Sequence, residues 1–303
     1  MKIIILGSEG FIGSHLVRFF QSRSWDVSGC DLHEKPSFVY DYHRISKLKG
    51  QFDEIFDQER YDACINASGS GNVSHSVTHP LEDFEKNTFD TARILDAIRK
   101  HNSACKYVHI SSAAVYGDPE NLPVSEEIAC KPLSPYGWHK LMSEQLCKEY
   151  HCLYGISVAI TRPFSIYGAG LKKQLFWDIF QKYLDDASTI ELWGTGEESR
   201  DFIYIDDVVR CMELILAKAP MKAEIYNIAS GEETYIRDVV QLLFDNLPGS
   251  TKIIFNNQTR TGDPRNWKAD ISRINALGFL PTVNLQNGIH NVAAWLLQSG
   301  TSK

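Results

Sequence analysis

The sequence predicts an α/β protein: a doubly wound parallel sheet followed by a smaller C-terminal region. Three observations carry this expectation. In the first half, short β-branched runs alternate with stretches whose apolar residues recur three or four apart, the rhythm of βαβ units. The first of those runs opens directly into a glycine loop. From Gly168 onward the alternation loosens into helical patterns separated by loops bearing glycine and proline. The expected division is therefore 1–167 and 168–303, with part of 202–230 returning to the first unit.

Each element has its own local reason. Lys2 to Leu6 is apolar but runs straight into glycines without a small-residue cleavage site, so it reads as a strand and not as a signal peptide. Gly7-Ser8-Glu9-Gly10-Phe11-Ile12-Gly13 follows it and opens a helix, Phe11 to Arg23. Such glycines make a tight turn, admit a pyrophosphate and let helix pack on strand, with the phosphates at the helix N-terminus. A purely structural turn is the plainer alternative. Against it stands Asp31, which closes the next strand, Trp25 to Cys30, about 20 residues on. A carboxylate there takes ribose hydroxyls and repels a 2′-phosphate, so NAD is expected over NADP, with His33 and Lys35 the features that speak for NADP. Gly7, Gly10, Phe11, Ile12, Gly13, Asp31 and Ala67, which ends the strand Asp62 to Ala67, make up the expected cofactor site. The unit is a Rossmann domain by this reading.

Pro80 to His101 reads as one helix, and Lys106 to Ile110 as a strand leading into the hydroxyl-bearing turn Ser111-Ser112. Tyr136 to Tyr154 is the next helix, and its first turns carry Tyr136 and Lys140 on one face. Tyrosine titrates near 10, so work as a base at neutral pH requires an adjacent cation. Tyr136 and Lys140 suit proton transfer coupled to hydride transfer. A strand at Ser157 to Thr161 follows, then helices near Leu171 to Leu184, Asp206 to Lys218, Thr234 to Leu247 and Leu285 to Gln298.

Composition excludes several classes. At 303 residues, 43% hydrophobic and 23% charged, the chain buries an ordinary core. No apolar stretch approaches the roughly 18 residues of a membrane helix. The formal charge of -7 and the lack of Lys/Arg clusters argue against nucleic acid. Seven cysteines without a C-x-x-C pair fit a reducing cytoplasm better than a disulfide framework or a zinc site. His75 and His79 lie four apart but run into Pro80, and Cys147, His151 and Cys152 read as a packed helix face, so no metal is expected.

The motifs Ser111-Ser112-Ala113-Ala114-Val115-Tyr116-Gly117 and Ser134-Pro135-Tyr136-Gly137-x-x-Lys140 resemble the nucleotide-sugar epimerases among the extended short-chain dehydrogenases/reductases, and the likeness spans nearly the whole chain. That resemblance implies Tyr136 as acid/base, Lys140 on the nicotinamide ribose, and Ser112 on the sugar hydroxyl being oxidised, with Ser111 a neighbour. Ser76 to Pro80 with Asn87, Thr88 and Leu95 resembles a family segment concerned with packing and cofactor support. Arg162 to Gly168 resembles R-x-x-N-x-Y-G with Ser165 in the place of the asparagine. Gly194 to Phe202 and Arg260 to Asp263 resemble two later elements. By the same likeness Arg200 and Arg260 flank the substrate diphosphate, Arg265 is a further candidate, and Trp193 lies against the base, although an isolated Arg-Asp is commonly a surface ion pair and a lone Trp core.

Dehydratases of the family carry Asp and Glu after the catalytic hydroxyl, and decarboxylases a Glu; here stand Ala113 and Ala114. The resemblance then implies a nucleotide-sugar 4-epimerase working through transient oxidation at C4, with an NDP-4-ketosugar reductase or net 4-dehydrogenase as alternatives and a non-catalytic scaffold as a remote one. It also implies a homodimer built on the Pro80–His101 and Tyr136–Tyr154 helices.

Overall fold

The computed structural model describes residues 1–46, 52–258 and 264–300. The first unit comprises β1 (Lys2–Leu6), α1 (Phe11–Ser22), β2 (Asp26–Asp31), β3 (Asp41–Arg44), α2 (Phe52–Gln58), β4 (Ala63–Asn66), α3 (Val73–Thr78), α4 (Pro80–Phe84), α5 (Asp90–His101), β5 (Lys106–Ile110), α6 (Pro135–Tyr154) and β6 (Val158–Pro163). The chain continues through β7 (Ser165–Tyr167), α7 (Gln174–Asp185), β8 (Thr189–Leu192), β9 (Ser199–Arg200), β10 (Phe202–Tyr204), α8 (Ile205–Lys218) and β11 (Lys222–Ile228). Last come β12 (Thr234–Tyr235), α9 (Ile236–Phe244), β13 (Lys252–Phe255), α10 (Ser272–Ala276) and α11 (Leu285–Gly300).

Seven strands form one parallel sheet in the order β11-β6-β5-β4-β1-β2-β3. The order reverses between β1 and β4, and such switch points are where doubly wound sheets bind ligands. Central strands are buried on both faces: Ile3, Ile4 and Ile5 have no exposed surface, which explains why β1 is a continuous apolar run. The strand β11 comes from beyond residue 167 yet joins the main sheet beside β6. One buried cluster runs from Ile3 and Leu16 through Val208 and Met212 to Val240 and Leu296, so both parts of the chain share a core. Among the described residues no helix is long and apolar enough to cross a membrane, and all seven cysteines are free thiols.

The expected helix Pro80–His101 is interrupted. A π-turn over Glu85–Phe89 divides α4 from α5, and within it the Asn87 carbonyl accepts from Ser143 Oγ of α6 and Thr91 Oγ1 of α5, at 3.0 and 2.6 Å. The expected helix from Thr234 starts two residues later, since Thr234 and Tyr235 pair with Arg200 and Ser199.

Candidate active site

Ser134 caps α6, its Oγ accepting from the Gly137 amide at 3.2 Å, with Pro135 in the first helical position and Gly155 at φ 70° ending the helix. The cap sets the helix start and so the place of Tyr136. Gly137 then does what no other residue can, because a Cβ there would lie 2.6 Å from the carbonyl oxygen of Ala114. The first turn of α6 is thereby pressed onto the 3-10 turn Ala113–Val115, which directly follows Ser112. This contact brings Ser112 and Tyr136 together: the Ser112 hydroxyl comes near enough to the phenol to favour its ionised form, while Ser112 Oγ accepts from the Ala114 amide at 3.1 Å. Lys140 reaches the same place, its Nζ 6.0 Å from the Tyr136 ring centre and donating to Ile110 O at 3.0 Å.

Electrostatics at this cluster follow from burial. Desolvation pushes the Tyr136 phenol up to about 12, against the lowering effect of the nearby Ser112 hydroxyl. Desolvation also pulls Lys140 down to about 8, opposed by the Asp83 carboxylate. Asp83 is wholly buried and lies 2.6 Å from Nδ1 of His139, between the two catalytic candidates on α6. Ser76 accepts from the Tyr136 amide at 3.1 Å, and Thr88 Oγ1 donates to His139 O at 2.9 Å. The Ser76–Thr88 segment therefore acts as the seat of α6. His75 and His79 stack on each other at 4.3 Å, with His75 bonded to Glu82 and His79 to Thr78.

Ser111 turns the other way from Ser112, donating to Glu144 at 2.6 Å. Glu144 grips Arg162 through two bonds of 2.9 and 2.6 Å, and the guanidinium lies 4.7 Å from the Tyr116 ring centre. Sequence reading passed over Glu144 and Asp83, although Glu144 stands four residues after Lys140 and shares its helix face.

The glycine loop is shaped to hold a dinucleotide. A Cβ on Gly7 would lie 2.7 Å from the backbone of Ala67 and Ser68, and one on Gly13 2.0 Å from Gly7 O. Gly10 is the exposed N-cap of α1. Phe11 and Ile12 are half-buried beside it. Asp31, at the end of β2, accepts from the Glu9 amide at 3.0 Å and the Leu32 amide at 2.6 Å, and holds His33 at 2.9 Å. These residues fit NAD: the missing Cβ atoms let the loop close tightly between β1 and α1, so that the helix N-terminus is free to face a pyrophosphate, and Asp31 at the end of β2 offers a carboxylate to a ribose.

The proposed substrate residues are more dispersed. Ser165 begins β7, its amide donating to Asp201 O at 3.0 Å. Trp193 is exposed, just past β8. Arg200 Nη1 donates to the carbonyls of Ser199 and Arg265, at 2.8 and 3.2 Å, and its guanidinium lies 5.7 Å from the Trp267 ring centre. Trp267 went unnoticed in the sequence, and it is the platform that carries Arg200. Asp201 is not half of a surface ion pair. It is buried and accepts from Ser230, Gly231 and Ala269. Arg260 lies outside the described residues.

The model of the NAD dependent epimerase/dehydratase family matches residues 3–229. A protein of Methanocaldococcus jannaschii named putative UDP-glucose 4-epimerase is 32% identical over 97% of this chain and 98% of its own. The dTDP-glucose 4,6-dehydratase of Salmonella typhimurium is 27% identical, over 98% of this chain and 93% of its own. The crystal structure of UDP-glucuronic acid 4-epimerase from Bacillus cereus, in complex with UDP-glucuronic acid and NAD, is 28% identical, covers 99% of this chain and 100% of its own, and superposes with a TM-score of 0.89. The chain belongs to the NAD dependent epimerase/dehydratase family, and is an enzyme of the extended short-chain dehydrogenase/reductase type with NAD as its cofactor.

Proposed function

We propose that the enzyme is a nucleotide-sugar 4-epimerase, with Ser112, Tyr136 and Lys140 as its catalytic residues. The observation that carries this is the turn Ala113–Val115, seated on α6 beside Tyr136 and Ser112. It presents no carboxylate where a dehydratase or decarboxylase would need one. The cluster offers one phenol, one hydroxyl and one ammonium, the set required for reversible oxidation of a secondary alcohol, with the Asp83 carboxylate beside them taken up by His139.

Gly7, Gly10, Phe11, Ile12, Gly13, Asp31 and Ala67 hold NAD, which supplies the hydride acceptor and donor at the sugar C4. Tyr136 removes the proton from the C4 hydroxyl in one direction and returns it in the other. The Lys140 cation favours the phenolate, and Ser112 orients the hydroxyl for transfer. Residues 168–303, apart from the stretch that rejoins the sheet, form the substrate region. There Arg200, Arg260 and Trp193 take the diphosphate and base, and Ser165 offers a hydroxyl beside them. The relatives described above are named for UDP- and dTDP-sugars, so these nucleotides are the first to try. A homodimer is supported by the exposed Val77, Leu81, Phe89, Trp138 and Met142, an apolar surface on α3, α4, the π-turn and α6.

The test is to purify the protein, release and identify its cofactor, and follow interconversion of UDP- and dTDP-hexoses by NMR without added nucleotide. Epimerisation without net cofactor consumption is expected, and Tyr136→Phe should slow it by about 10²- to 10⁴-fold with cofactor content unchanged. Turnover only of 4-keto sugars, at the expense of added NADPH, would replace the epimerase with a reductase.

A further inference from the structure

We propose that Glu9 is a second carboxylate of the adenosine ribose pocket, set beside Asp31 so that a dinucleotide carrying a 2′-phosphate is turned away. The inference rests on NAD as the cofactor and not on the epimerase reading.

The glycine loop closes on itself through the Gly10 amide and Gly7 O, and on β2 through the Gly7 and Ser8 amides, which both donate to Cys30 O. None of those bonds uses a side chain at position 9, so the turn has no need of a glutamate. Glu9 nonetheless makes two sets of contacts. Its amide donates to Asp31 Oδ2 at 3.0 Å, joining the loop to the strand end that would hold the ribose. Its carboxylate is fixed by three donors: the Ser37 amide at 2.8 Å and hydroxyl at 2.6 Å on Oε2, and the Tyr40 phenol on Oε1.

Those donors are themselves anchored. A Cβ on Gly29 would lie 2.3 Å from Tyr40 Cε2, so the ring rests on the face of β2. Gln21 Nε2 donates to Val39 O at 2.9 Å, and the Arg18 guanidinium lies 5.0 Å from the Phe38 ring centre. The segment after Asp31 is thus strapped to α1, and it holds the Glu9 charge in one place. Two carboxylates then act on the same spot. Burial first, and after it the charges of Asp31 and Glu9, push the Tyr42 phenol up to about 12.

Cations also stand in the neighbourhood, and Arg44 pulls the Tyr42 phenol the other way, but two of them are drawn to carboxylates. His33 is engaged by Asp31 at 2.9 Å, and Arg44 faces Glu34 at 4.0 Å. Lys35 is exposed, and Arg18 lies over Phe38. A 2′-phosphate, carrying close to two negative charges, would enter a pocket with two fixed carboxylates, whereas a ribose hydroxyl would find acceptors.

Calorimetric titration of protein freed of bound cofactor, with NAD+ and then NADP+ at low and physiological salt, tests this. Glu9→Gln preserves the tether, because its amide oxygen can take the Ser37 donors while its NH2 donates to the Tyr40 oxygen. NAD+ binding should stay within about threefold of wild type while NADP+ tightens about tenfold at low salt. That gain should shrink as salt screens the wild-type repulsion. Glu9→Ser places a small residue in the loop, guards against a folding defect in the first variant, and should show the same NADP+ gain. If both variants leave the ratio of the two dissociation constants unchanged, or weaken both cofactors equally, Glu9 is only a tether for the loop and the proposal fails.

Discussion

Glu144 and Arg162 form a bidentate ion pair in the interior, with Ser111 donating to the same carboxylate at 2.6 Å. Neither side chain is more than 3% exposed. Removing one partner strands a buried charge, so Glu144→Ala should cost about 3–5 kcal/mol in urea unfolding. The double variant Glu144→Leu with Arg162→Met should recover much of that loss. A single variant as stable as wild type would show that the pair does not hold α6 to β6.

Gly137→Ala is the smallest change that separates the catalytic hydroxyls. Its Cβ would meet Ala114 O at 2.6 Å and Pro132 Cβ at 2.9 Å, and overpacking of this kind costs about 1–3 kcal/mol. Turnover should fall further than the melting temperature alone would explain, since the displaced turn carries Ser112. Unchanged kinetics would mean that the contact does not set the Ser112–Tyr136 geometry.

Lys140 illustrates a conflict between stability and chemistry. Burial lowers it from 10.5 to about 8, so in that pH window the unfolded chain binds a proton that the folded one does not. Its contribution to stability therefore rises with pH from about 8 to 10.5 and is unfavourable below. Lys140→Met should make the cofactor-free protein more stable near pH 7 by about 1–3 kcal/mol. The advantage should vanish by pH 10.5, while cofactor binding weakens. Denaturant midpoints at pH 7 and 10 would check the slope, and a variant less stable than wild type at pH 7 would contradict it.

Arg200, if it binds diphosphate, depends on Trp267 beneath it. Arg200→Ala should weaken free UDP or dTDP by about 10- to 100-fold, and Trp267→Leu should weaken it less, with NAD affinity unchanged in both. Calorimetry with the free nucleoside diphosphates would separate this from any effect on the sugar. Equal binding by all three proteins would remove Arg200 from the substrate site.

Much of this was legible in the sequence because it is local. The Gly7–Gly13 loop, the S-P-Y-G start of α6 and the Tyr136–Lys140 spacing each depend on residues within two turns of one another. What escaped was set by distant partners. That part of 202–230 returns to the first unit was expected, but the strand itself, β11, reads as a mixed run, Lys222-Ala223-Glu224-Ile225-Tyr226-Asn227-Ile228, whose first residues lie at an exposed edge of the sheet. Asp83 looks like an ordinary surface residue of a helix until His139, 56 residues away, is laid over it. The partners of Asp201 come from two separate loops, and no local pattern announces them.

The π-turn at Glu85–Phe89 amounts to one surplus residue in a helix that would otherwise run unbroken from Pro80 to His101. Each residue of an α-helix advances the azimuth by about 100°. Deleting Lys86 would therefore straighten the rod while swinging everything before it by that angle, carrying Asp83 away from His139. Such a shortened chain should gain helical regularity and lose its catalytic seat. The insertion works as an indexing notch, setting the angular phase of one half of the helix against the other.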